Sequence, residues 1–266
     1  MSIHFTQMKI CQFKTNNFKY ILGTRVEGTS YEDTTNRILT QASSGDYGYV
    51  CVANVHMIME AFDSEDFRKI VNKADIVTPD GMPIVLLLRI LGLKGQKRVY
   101  GPTLMKYVCE ASAQSNVSVG FYGSTPETLM ALVYNLLGCI PKLKVGYTYS
   151  PPFHHLRSEE DETIVREINA SQIKILFVGL GCPKQEQWMF SHSDRIKALI
   201  VGVGAAFDFH AGLKKQAPNW IMAIGLEWLF RLCNEPRRLW KRYLYNNPRF
   251  IFLVVRQILR ERLLRN

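Results

Sequence analysis

The stretch Ile173-Lys174-Ile175-Leu176-Phe177-Val178-Gly179-Leu180-Gly181-Cys182-Pro183-Lys184-Gln185-Glu186-Gln187-Trp188 decides the fold. A mostly apolar run reaches a glycine turn, and Pro183 then opens a helix-like segment, the pattern of a buried strand feeding a helix. The same pattern recurs along the chain. Residues 49–53 precede Asn54 and a helical periodicity over 57–71. Residues 117–122 end at Gly123-Ser124-Thr125-Pro126, where Pro126 suits a first helical turn. Ile76 and Val77 lead into Pro79-Asp80-Gly81, and residues 199–203 end at Gly204. Short strands alternating with helix-length segments predict an α/β fold, a Rossmann-like parallel sheet flanked by helices. Ligands in such sheets sit beyond the carboxyl ends of the strands, where these glycine turns fall.

Smaller signals refine this outline. Ser158, with Asp161 three residues on, reads as a helix N-cap, and the carboxylates that follow read as a solvated first turn. Beyond about residue 218 the character changes. Over 231–266, nine arginines and one lysine oppose two glutamates, a local net of +8 within a chain of net +10. Apolar residues such as Leu229, Leu239, Trp240 and Leu244 recur there at helical spacing. Pro236 should break or restart that helix, and Asn247-Pro248 should open a last one. The expected division is a catalytic core over 1–218 and a basic amphipathic helical appendage over 219–266.

Composition excludes several classes. The six cysteines stand 30 to 58 residues apart with no C-x-x-C pair, against a disulfide framework or zinc site and in favour of a reducing cytosol. The first 20 residues carry no continuous apolar run of the secretory kind. No apolar stretch approaches the roughly 20 residues of a spanning helix. No Asp-x-Asp or H-E-x-x-H occurs, and the adjacent His154-His155 pair points apart, so no metal and no cofactor is expected. A cationic tail edged with Trp, Tyr and Phe suits an anionic lipid surface. Nucleic acid would also use such charge, but no recognition motif directs it. The tail's apolar residues suit self-association as well as lipid.

Candidate ligand groups cluster at the strand ends. Asn54 offers a donor and an acceptor to a base or ribose, or else caps a helix. Asp80, pinned between proline and glycine, is placed either as a general base or in an ordinary turn. Gly181 permits close backbone approach beside a helix start that attracts phosphate, and Gln185 can bond a base or sugar. The G-x-G-x-x-G fingerprint is absent, which counts against a nicotinamide-dependent oxidoreductase on the same sheet. Asp208 and His210 either touch a ligand or satisfy buried backbone, and Arg98 either pairs with a diphosphate or is solvated.

Taken in order, Asn54, the loop 79–81, Arg98-Val99-Tyr100-Gly101, Phe121-Tyr122-Gly123 and the 179–186 turn resemble the WecG/TagA/CpsF glycosyltransferase family. The segments 201–208, Gly225-Leu226-Glu227-Trp228 and Glu235-Pro236-Arg237-Arg238 extend that resemblance. It implies an inverting transferase moving a sugar from a UDP-sugar to a polyprenyl-diphosphate-linked sugar during surface-polysaccharide synthesis. Such an enzyme would work in the cytoplasm, peripherally on the inner face of the plasma membrane. The resemblance makes Asp80 the catalytic base. By position, Asn54, Arg98 and Gln185 match residues around the family's nucleotide-sugar pocket; Gly123, Gly181 and Asp208 are further substrate-binding candidates, and Arg98, Arg237 and Arg238 are expected to compensate the departing diphosphate. Val52, where the family often has threonine, and Thr103, where it often has aspartate, leave the donor open between a hexose and an N-acetylhexosamine.

Overall fold

The computed structural model describes residues 17–152 and 157–263. The N-terminal segment, Cys11 and the His154-His155 pair lie outside the described residues. A hairpin of β1 (Phe18–Ile21) and β2 (Thr24–Glu27) precedes α1 (Tyr31–Ser44). The core then runs β3 (Tyr49–Ala53), α2 (Val55–Asp63), α3 (Glu65–Lys73), β4 (Ile76–Pro79), α4 (Met82–Ile90) and α5 (Gly101–Gln114). It continues through β5 (Ser118–Gly123), α6 (Pro126–Cys139), β6 (Lys144–Tyr149), α7 (Ser158–Ala170), β7 (Ile175–Gly179) and α8 (Lys184–His192). The last elements are β8 (Leu199–Gly202), α9 (Ala206–His210), α10 (Asn219–Ala223), α11 (Glu227–Asn234) and α12 (Pro236–Leu263).

Six strands form one parallel sheet in the order β4-β3-β8-β7-β5-β6. Side chains alternate across a strand, and here both faces are covered, so the central strands are apolar throughout. Tyr49, Cys51 and Ala53 of β3 enter one core layer with α2, α3, α4, α7 and α8. Val50 and Val52 enter the other, with residues of α1, α5, α6 and α9. This is the doubly wound α/β sheet that the alternating runs predict.

Four local expectations are corrected. The periodicity over 57–71 is two helices, because Ser64 accepts the Phe67 N–H and caps α3 while its own N–H closes α2 on the Glu60 carbonyl. Ser158 is the first helical residue and Arg157 precedes it; the Arg157 N–H donates to Glu160 at 2.8 Å. Asp161 is not a solvated first-turn acid: it accepts from His192 Nε2 and Arg195 Nη1, both at 2.8 Å, tying α7 to α8. The last correction concerns Pro248. It opens no new helix but lies inside α12, which runs 28 residues, about 42 Å at 1.5 Å per residue. The restart at Pro236 is as expected.

The basic tail is joined to the sheet. Phe250 and Val254 of α12 belong to the same apolar layer as β3 and α2. Arg249 pairs with Asp63 at 2.7 and 2.9 Å, and Gln257 bonds the Leu22 N–H and the Tyr20 carbonyl of the hairpin. Asn246 lies 3.3 Å from His56 Nδ1; burial and then nearby Arg242 hold that imidazole down, at about 4. Among the described residues, no helix is long and apolar enough to cross a membrane.

Candidate active site

β3 and β4 run side by side and end together, which brings Asn54 and Asp80 to one edge of the sheet. The Asp80 N–H donates to the Ala53 carbonyl at 2.7 Å, and the Val99 N–H donates to the Pro79 carbonyl at 2.9 Å. The second bond extends the strand end with the segment before α5 and sets Arg98 beside Asp80. Gly81 turns the chain into α4 at φ +102°, a conformation that side-chain-bearing residues rarely adopt. The Pro-Asp-Gly sequence is therefore a turn, and that turn is also what aims the carboxylate.

Arg98 gives Nε and Nη2 to Asp80 Oδ1 at 2.9 and 2.7 Å, and Nη1 to Glu227 Oε2 at 2.6 Å. Its guanidinium lies 4.2 Å above the Tyr100 ring. Burial works against its charge, but Asp80 and Glu227 more than offset this and hold Arg98 protonated. Desolvation raises the Asp80 carboxyl above its ordinary value, with Arg98 opposing and Glu227 adding to the rise. As the structure stands, Arg98 serves two carboxylates and is not presented to a diphosphate.

Two cavities meet at Asp80. One, about 270 Å³, lies over the ends of β3, β7 and β8, and the other, about 430 Å³, lies between α4 and the tail. Asn54, Asp80, Arg231 and Arg242 line both. The smaller is walled by the 179–182 and 202–205 turns, Gln185, Glu186 and Asp208. The larger is walled by apolar groups, among them Met82, Pro83, Trp228, Phe250, Leu244 and Ile251.

Gln185 is fixed at both ends of its amide: Nε2 donates to Glu186 Oε1 and Oε1 accepts the Gly204 N–H, each at 2.9 Å. Glu186 is fully buried and its Oε2 has no partner among the described residues, so burial pushes its carboxyl up to about 7. Asn54 caps α2 through the Met57 N–H and also faces both cavities, so its two readings coexist. Gly123 lines neither cavity; a Cβ there would stand 2.7 Å from the Gly179 carbonyl oxygen, so it lets β5 and β7 close together. Asp208 borders the smaller cavity but is paired with Lys214 at 2.6 Å, and His210 bonds the Pro102 carbonyl.

The tail arginines divide by helix face. Arg238 reaches the smaller cavity while pairing with Glu235, and Arg242, one turn on, joins it. Arg237 is exposed and lines neither cavity. Arg231 and Arg242 keep buried Nε groups without partners among the described residues, and both stand at the seam between the cavities. These two are absent from the sequence-based candidates. The i, i+4 spacing of Arg238 and Arg242 points to one of them; nothing in the sequence separates Arg231 from a surface arginine. Among the described residues no three His, Cys, Asp or Glu side chains converge as a metal set.

A parallel sheet with glycine turns, helix starts and guanidinium groups at its strand ends belongs to the class of α/β proteins that bind phosphorylated ligands. Within that class, the chain belongs to the glycosyl transferase WecG/TagA/CpsF family, whose model matches residues 19–263. It is a glycosyltransferase. Similar proteins include one of Bacillus subtilis (strain 168), 26% identical over 210 residues, covering 78% of this chain and 79% of that one. Another, of Staphylococcus aureus (strain MW2), is 26% identical over 209 residues, covering 78% and 80%. Both are named N-acetylglucosaminyldiphosphoundecaprenol N-acetyl-beta-D-mannosaminyltransferase. The oxidoreductase and nucleic-acid readings find no support in this membership.

Proposed function

We propose that the protein transfers a sugar from a UDP-sugar to a polyprenyl-diphosphate-linked sugar by single displacement, with Asp80 as general base. The observation that carries this reading is the position of Asp80 at the seam of two unlike cavities. The smaller cavity, with fixed amides and backbone turns, suits a nucleotide sugar. The larger, apolar one suits the first isoprene units of a lipid acceptor, which the names of the similar proteins share. An acceptor hydroxyl at the seam meets the Asp80 carboxylate on one side and the donor's anomeric carbon on the other. Asp80 takes the proton, the hydroxyl oxygen bonds the anomeric carbon, and UDP leaves with the former glycosidic electron pair. Arg231, Arg238 and Arg242 face that developing charge, and electrostatic preorganisation of this kind is a major source of rate.

Membrane docking belongs to the same reading. At about 100° per residue, Trp240, Leu244, Ile251, Val255 and Leu259 share one exposed face of α12, roughly a third of a turn round the helix from Leu239, Phe250 and Val254, which are buried. Arg249, Arg256 and Arg260 border that exposed face. Leu244 and Ile251, 65% and 62% exposed, also line the apolar cavity, so its mouth is continuous with the surface assigned to lipid. We therefore place the enzyme peripherally on the cytoplasmic face of the plasma membrane. A second copy of the chain is the competing occupant of this face. Sedimentation velocity without lipid, beside vesicle binding, separates the two.

Val52 presents methyl groups to the smaller cavity where the family often has a hydroxyl. Thr103 lines neither cavity and contacts the Tyr31 hydroxyl. The donor sugar is accordingly sought among both hexoses and N-acetylhexosamines. A UDP-release assay across UDP-sugars, with a polyprenyl-diphosphate-N-acetylglucosamine acceptor, tests the proposal. Acceptor-dependent UDP release from at least one donor is expected, and none from any donor would overturn it.

A further inference from the structure

Glu227 opens α11, is 7% exposed, and takes one edge of a guanidinium that lies 129 residues away in sequence. An arginine facing one carboxylate commonly meets it fork to fork, two N–H groups on two oxygens. Here Nη1 is drawn to Glu227, and Nε and Nη2 both fall on Asp80 Oδ1. No described residue bonds Asp80 Oδ2, and Asp80 borders both cavities.

We propose that Glu227 is a positioning residue for the transfer: it divides the Arg98 charge between two carboxylates and confines Arg98 to one oxygen of Asp80, leaving the other a stronger base. This rests on Asp80 being the base. The groups facing Asp80 are Arg98 and Tyr100 from the segment before α5, Tyr31 from α1, His56 from α2, Glu227 and Arg231 from α11, and Arg242 from α12. Three of these are arginines, which hold a carboxylate ionised and weaken it as a base. The Glu227 charge acts against them, and it raises the Asp80 carboxyl in the same direction as burial does. Because Glu227 lies in the tail, the base reaches full strength only with α11 seated on the Asp80 loop.

Glu227→Gln keeps the side-chain length and an acceptor oxygen but removes the charge. In the full-length enzyme it should move the acid limb of the kcat/KM profile to lower pH, lower kcat several-fold and leave the donor KM unchanged. Glu227→Asp, which keeps the charge, should retain the wild-type limb. An unmoved limb in Glu227→Gln, or an effect confined to KM, overturns the proposal. A second measurement needs no variant: carbon-13 NMR of wild-type protein labelled at aspartate should show Asp80 titrating above the ordinary 3.8. Titration at or below that value overturns it too. Asp80→Asn tells the two failures apart. Retained turnover there defeats the base assignment itself, whereas an inactive Asp80→Asn with an unmoved Glu227→Gln limb defeats only the role of Glu227.

Discussion

Asp80 receives both of its arginine contacts on Oδ1, and the consequences begin at that atom. Asp80→Asn keeps the size and the turn but cannot take a proton. Turnover should fall ~10²–10⁴-fold, with UDP affinity, read by calorimetry, close to wild type. The arginines give a contrast of position. Arg231→Ala or Arg242→Ala should each lower kcat by ~10²-fold or more, as the loss of an oxyanion donor does, while Arg237→Ala stays near wild type. Equal losses at all three would sink the division by helix face. Glu186 gives a pH test. Its folded-state carboxyl is raised to about 7 by burial, so the protonated form favours folding. That contribution is full below the ordinary 4.5 and is lost as pH rises through about 7. Glu186→Gln should therefore narrow the difference in Tm between pH 5 and pH 8, a comparison that thermal unfolding makes directly.

The tail helix is the element on which the site depends. Phe250, 4% exposed, is its anchor in the apolar layer, whereas the Arg249–Asp63 pair is largely solvated. Phe250→Ala should cost ~3–5 kcal/mol in urea unfolding. Arg249→Ala should cost no more than ~1 kcal/mol, the usual range for exposed ion pairs. A reversed ranking would mean that charge and not burial seats α12. Pro248 shows why the sequence misleads here. Asn followed by Pro is a common helix start, and Pro cannot donate to the carbonyl four residues before it. Helix on both sides, with one flank buried against α2, overrides that local preference.

Over the whole molecule, the core and the tail together build one site, and its apolar mouth shares a surface with the exposed face of α12. Ile251→Glu with Phe252→Glu places charge on that face without touching the buried one, both residues being exposed. The doubly substituted protein should keep its Tm yet lose sedimentation with anionic vesicles, and turnover on a long-chain acceptor should fall more than on a short-chain one. Unchanged vesicle binding would remove lipid as the occupant. This variant is preferable to a tail deletion, which would strip Phe250 and Val254 from the core.

The fold class was legible in the sequence because a parallel sheet buried on both faces must write its strands as apolar runs, and its turns need glycine and helix starts. The runs at 49–53, 117–122, 173–178 and 199–203 each carry that signature, and β4 is recognisable from Ile76-Val77 before Pro79. The candidate site was legible in part. The sequence placed Asn54, Asp80, Gly181 and Gln185 at strand ends, since position after a strand is a local property. It did not show that Arg98 would be shared with Glu227, that Arg231 and Arg242 rather than Arg237 would reach the seam, or that α12 would run unbroken through Pro248. Those outcomes depend on which helix face turns inward and on pairs of residues more than a hundred positions apart. Only the tertiary structure decides them, because charge sharing and burial are set by distance in space and not by separation along the chain.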